Sequence, residues 1–138
     1  MKLDDYPVYK LEINGMNTKE IGEIFSRLSF LPEIRAKKII MGIDLGYTEP
    51  TAIIVMYFDS TGRLHFHSRI QLTKVSYPIQ EKFINMLDSK FEPILIGIDK
   101  GSAGISLIQH LMESTEYLHK DFSKRIIPID FSSSLVLG

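Results

Sequence analysis

The chain has no cysteine, which removes disulfides, thiolate zinc sites and cysteine nucleophiles together and fits a reducing compartment. It also has almost no net charge. Lys and Arg number 16 against 17 Asp and Glu, a formal charge of -1, so no global positive field draws the protein to nucleic acid and any such binding must use local patches. No apolar run approaches the length needed to span a bilayer, and Met1 to Asp5 carry two acids and no apolar core of a leader. Low-complexity tracts are missing too. What remains reads as a soluble, intracellular protein: 138 residues, 44% hydrophobic and 24% charged, enough for one domain around one core.

Its elements are announced by pattern. Val8 to Ile13 alternate loosely and close on Asn14-Gly15, a turn dipeptide, which predicts a short strand. A helix is signalled from Asn17 or Thr18, with Ile21, Ile24, Phe25 and Leu28 at helical spacing and Leu31-Pro32 as its stop. Ile39 to Leu45 is nearly unbroken apolar sequence, as in a strand covered on both faces. Thr51 to Phe58 is a second strand of this region, and Asp59 to Gly62 a hairpin turn. In the third, Leu64, Phe66, Ile70 and Leu72 are expected on the core face, with Arg63, His65, His67, Arg69 and Gln71 on the wet one.

Pro78 opens a helix whose inner stripe is expected to be Ile79, Phe83, Met86, Leu87 and Phe91. A strand, a helix from Gly101 to Gly104 onward, and a last strand from Arg125 to Phe131 complete the order. Tight turns make the first three of these strands antiparallel, whereas the strand-helix-strand units that follow demand parallel crossovers. The fold class expected is therefore α/β, a mixed sheet with helices on both faces, preceded by a linker or subdomain segment over residues 1–38.

One motif occurs twice. Ile39 to Gly46 ends Gly42-Ile43-Asp44-Leu45-Gly46, and Ile94 to Gly101 ends Gly97-Ile98-Asp99-Lys100-Gly101. In the expected sheet these strands lie side by side and parallel, so Asp44 and Asp99 become neighbours. Two carboxylates so placed repel, and one pKa rises unless a cation stabilises both. Oxygen donors without cysteine suit Mg²⁺ or Mn²⁺ better than zinc, and two such ions about 4 Å apart support phosphodiester cleavage. Glycines 46 and 101 keep the mouth open to a phosphate backbone. Lys100 and Tyr47, beside the two acids, are candidate substrate contacts. His65 and His67 stand two apart, but no third metal ligand is evident near them.

The order of strands together with Ile43-Asp44-Leu45-Gly46 and Ile98-Asp99-Lys100-Gly101 resembles the ribonuclease H-like nuclease superfamily, and within it the nuclease domain of phage terminase large subunits. The likeness spans about Ile39 to Phe131. It implies that Asp44 and Asp99 are metal ligands of a two-metal endonuclease with Mg²⁺ or Mn²⁺ as cofactor and no nucleotide. Double-stranded DNA is the implied substrate, the portal protein and other terminase subunits the implied partners, and the host cytoplasm the location. The family's motor domain, with its Gly-x-x-x-x-Gly-Lys-Ser/Thr loop, has no counterpart here. Its third carboxylate, on a helix after the fifth strand, has none either, so the nuclease domain over residues 39–138 is expected to be incomplete at its C-terminus, with Asp130 the one late candidate ligand.

Two other readings share the motif. A ribonuclease H-like module without catalysis would dock other proteins. A lobe of an actin-like or sugar-kinase-like ATPase would use Asp44 to Thr48 and Asp99 to Gly104 as phosphate loops, although that fold needs two lobes and both motifs fall inside one here.

Overall fold

The structure is a computed structural model that describes residues 9–15, 21–46, 49–99, 101–113 and 122–129. Its strands are β1 (Tyr9–Asn14), β2 (Lys38–Asp44), β3 (Thr51–Phe58), β4 (Leu64–Thr73), β5 (Leu95–Asp99) and β6 (Ile126–Ile129); its helices are α1 (Ile21–Leu28), α2 (Tyr77–Phe91), α3 (Ser102–Glu113) and the short α4 (Phe122–Arg125). The strands form one mixed sheet in the order β1-β4-β3-β2-β5-β6. The β2-β3 and β3-β4 pairs are antiparallel, and β1-β4, β2-β5 and β5-β6 are parallel. The strand and helix before Lys38 share this sheet: β1 pairs with β4 from Tyr9 opposite Ser68 to Asn14 opposite Thr73, and α1 packs on α2.

Topology decides which face is covered. The connections β1-α1-β2, β4-α2-β5 and β5-α3-β6 each join parallel strands and each step the same way across the sheet. Right-handed crossovers that step the same way leave their helices on the same face. The side chains agree: Ile39, Met41, Ile43, Ile53, Val55, Ile70, Leu72, Ile96 and Ile98 are buried with Phe83, Ile84 and Leu87 of α2. A polar contact from His110 Nδ1 to Glu81 Oε2 (2.7 Å) ties α3 to α2 on that side. Helices on both faces were expected; among the described residues they lie on one. The opposite face presents Ile40, Ala52, Ile54, Met56, Ile127 and Ile129 along an open groove of about 480 Å³.

Two details of pattern differ from expectation, each for a physical reason. A β-bulge lies where Val55 pairs with Ser68 but Met56 pairs with Phe66. The extra residue reverses the alternation along β4. Ile70 and Leu72 face the core as expected, but His67 is turned to the core and Phe66 to the open side beside Met56. His67 is 7% exposed and packs against Tyr9 and Phe91 (centroids 5.3 Å away in each case). Burial holds its pKa below the ordinary histidine value, helped by the charge of Lys90 and opposed by the Pro32 carbonyl. His65 stacks on Tyr57 and bonds through Nε2 to Asp59 Oδ2 at 2.6 Å.

The buried stripe of α2 is also broader than predicted. It comprises Gln80, Phe83, Ile84, Leu87, Asp88 and Phe91, with Ile79 and Met86 only partly buried. Of its two polar members, Asp88 receives both terminal nitrogens of Arg125 at 2.5 and 3.2 Å, and Arg125 also donates to the Pro93 carbonyl at 3.0 Å. This bidentate pair fastens the start of β6 beside the end of α2. Glu92 closes the helix in the left-handed conformation (φ 48°), its N–H bonded to the Asp88 carbonyl.

Candidate functional site

The parallel ladder between β2 and β5 matches Ile40 with Leu95, Met41 with Ile96, Gly42 with Gly97 and Ile43 with Ile98. One step further, the two strands end together at Asp44 and Asp99. Since Ile43 and Ile98 point into the core, alternation turns Gly42, Asp44, Gly97 and Asp99 to the opposite, open face. The C-terminal ends of parallel strands are where ligands bind in open α/β sheets. The acids thus stand side by side where the apolar groove meets the sheet's C-terminal edge, and Asp44 itself lines that groove.

Their proximity has an electrostatic signature. Partial burial, then the negative charge of Asp99, then a hydrogen bond between the two carboxyl groups raise Asp44 above the ordinary carboxylate pKa. Asp44 still reaches solvent, and Asp99 is half-buried. A divalent cation between them would relieve the repulsion, and its oxygen-only donor set suits a hard cation. Among the described residues no cluster of three or more His, Asp or Glu is in place to hold a metal.

Each acid is followed by a different device. After Asp99, α3 begins at Ser102, and Gly104 lies so close that a Cβ there would sit 1.6 Å from the Asp99 carbonyl oxygen. Gly104 is therefore needed for α3 to start against β5. After Asp44, the chain folds sharply back: a Cβ on Gly46 would sit 2.3 Å from the Glu49 carbonyl oxygen. Glu49 itself is exposed.

The reversal at Gly46 is held by two fully buried polar residues that the sequence reading left out, Thr51 and Gln80. The Gly46 N–H donates to Thr51 Oγ1 at 2.8 Å, the Thr51 hydroxyl has two acceptors in reach, Gln80 Oε1 at 2.6 Å and the Gly46 carbonyl at 2.8 Å, and Gln80 Nε2 donates to the carbonyls of Gly46 (2.9 Å) and Val75 (2.8 Å). Both Nε2 protons face carbonyls, which fixes the amide's orientation and leaves Oε1 for the hydroxyl. A signal for it existed: Gln80 lies on the apolar stripe of α2, four residues before Ile84 and seven before Leu87.

Of the residues selected by sequence, Asp44 and Asp99 are brought together. Lys100, Tyr47 and Asp130 lie outside the described residues. No described helix is long and apolar enough to cross a membrane. Comparison with models of protein families and with curated proteins found no match, so the reading of this site rests on its own geometry.

Proposed function

We propose that this chain is a ribonuclease H-like nuclease domain of the kind found in phage terminase large subunits, and that Asp44 and Asp99 hold Mg²⁺ or Mn²⁺ for hydrolysis of a DNA phosphodiester. One observation carries the reading: two parallel neighbours, β2 and β5, end in register in carboxylates close enough for Asp99 to raise the Asp44 pKa. The strand order β4-β3-β2-β5-β6, with two antiparallel pairs and then two parallel ones, supports it. Bound metal would supply an activated water and charge stabilisation at the leaving oxygen. The chain's own part is to hold two ionised carboxylates at a sheet edge, with Gly46 and Gly101 at its mouth.

In this reading the open groove below Asp44 is where a further helix lies and brings a third carboxylate to the pair. Double-stranded DNA is then the substrate, portal protein and other terminase subunits are the partners, and the host cytoplasm is the setting. That only two carboxylates converge among the described residues favours a second reading, a module of the same fold that docks rather than cuts.

Titration calorimetry with Mn²⁺ on the wild type and on Asp44→Asn, paired with nicking of supercoiled plasmid, separates these possibilities. The proposal expects Mn²⁺ binding that Asp44→Asn weakens at least tenfold, and metal-dependent nicking once a helix carrying the third carboxylate is supplied. Metal binding without nicking even when that helix is supplied favours the docking module. No Mn²⁺ binding, or binding indifferent to the substitution, overturns the metal site, and ATP binding by the same sample points to the ATPase lobe instead.

A further inference from the structure

We infer that Thr51 and Gln80 are positioning residues that clamp the chain behind Asp44 and so keep its carboxylate beside Asp99. The inference deepens the cation-site reading and rests on it.

The need for a clamp follows from where Asp44 sits. It is the last residue of β2, paired to Ala52 on one side, and the ladder to β5 has its last matched pair at Ile43 and Ile98. When both are ionised, the hydrogen bond between the two carboxyl groups is lost and their like charges push the two strand ends apart. Among the described residues the ladder has no matched pair beyond Asp44 and Ala52 to resist that push. Two residues on, both backbone groups of Gly46 are engaged: its N–H by Thr51, its carbonyl by Gln80 and by the Thr51 hydroxyl. Gln80 is a fully buried residue of α2, so the network ties the segment behind Asp44 to the packed core of the helical face.

The chemistry of the clamp is closed. Each N–H of the Gln80 amide has a carbonyl, the Thr51 oxygen has the Gly46 proton, and the single Thr51 proton lies between Gln80 Oε1 and the Gly46 carbonyl. Thr51 and Gln80 are themselves fully buried, so removing the Thr51 hydroxyl takes the partner of the Gly46 N–H and of Gln80 Oε1, and removing the Gln80 amide takes the side-chain donor of the Val75 carbonyl. Groups that orient metal ligands from behind typically change metal affinity by about 10–100-fold when lost.

The experiment uses the full chain, with Thr51→Val, Thr51→Ser and Gln80→Leu, and reads Mn²⁺ affinity by calorimetry together with amide hydrogen exchange. Thr51→Val keeps the shape and loses the hydroxyl; Thr51→Ser keeps the hydroxyl. Expected are a loss of Mn²⁺ affinity of about tenfold or more in Thr51→Val and Gln80→Leu, with Thr51→Ser within about threefold of wild type. The Gly46 amide, bonded to Thr51 Oγ1, should exchange at least about tenfold faster in Thr51→Val while the Val55 amide is unchanged, a local loosening that a general loss of stability would not give. Unchanged exchange at Gly46 overturns the clamp whatever the metal does. Faster exchange with unchanged Mn²⁺ affinity overturns its positioning role. A wild type that binds no Mn²⁺ overturns the cation reading, and with it the metal role of the clamp, while the exchange data still decide whether the clamp exists.

Discussion

β2 and β5 carry the same Gly-Ile-Asp ending and lie matched residue for residue, Gly42 to Gly97 and Ile43 to Ile98, yet their surroundings differ. Gly97 is buried, and a Cβ on it would meet Ile129 Cδ1 at 2.4 Å; a Cβ on Gly42 would meet nothing within 4 Å. Beyond Asp99 the chain passes straight into α3 through Gly104, whereas beyond Asp44 it turns at Gly46 and is held by Thr51 and Gln80. The repeated motif therefore places two identical groups and supports them by two unrelated means. Like endings in sequence define the site; unlike neighbours define how each half is held.

The sharpest way to break the comparison is Gly104→Ala. The new methyl would overlap a backbone oxygen, and relief requires moving α3 off β5. We expect a loss of about 3 kcal/mol or more, on the scale of severe overpacking, read from urea unfolding. A loss below about 1 kcal/mol would show that α3 has freedom that its close approach to Asp99 denies. The matched pair Gly97→Ala and Gly42→Ala comes next. Gly97→Ala meets the far end of a flexible side chain, so we expect a cost of about 1–2 kcal/mol as Ile129 turns away. Gly42→Ala, on the open face, should lie within about 0.5 kcal/mol of wild type. Equal effects at the two positions would mean that Gly42 is as enclosed as Gly97.

How far the sequence foretold this arrangement depends on the kind of signal. Apolar runs and crossover lengths are enough to order the strands, because hydrophobic pattern and chain connectivity act over whole elements. They also suffice to bring Asp44 beside Asp99. The turning of His67 into the core was illegible because it follows from a bulge, and one inserted residue changes the face of everything on one side of it. The one-sided placement of the helices was implicit in the three crossovers but required the position of β1, at the far edge beside β4, which the pattern of Val8 to Ile13 does not specify. Gln80 was passed over because a polar residue on a helix stripe reads as a boundary position until its partners are known.

The smallest effect tests the electrostatic side of the pair. Asp44 has its pKa raised in the folded protein by partial burial and by Asp99, so its ionised form is less favourable folded than unfolded. A carboxyl with a raised folded pKa opposes stability above that pKa and ceases to oppose it as the pH falls towards its unfolded value near 3.8. Without divalent cations, Asp44→Asn should therefore raise the melting temperature at pH 7 by about 1–2 °C, kept small because the side chain reaches water. That gain should shrink as the pH is lowered and Asp44 takes up its proton in the wild type. With millimolar Mn²⁺ the order should invert, the wild type melting above the variant, because a cation that binds the folded carboxylate pair stabilises it by mass action. A variant that melts below the wild type without any cation would mean that Asp44 is held by a favourable contact, and that the two matched strand ends attract rather than repel.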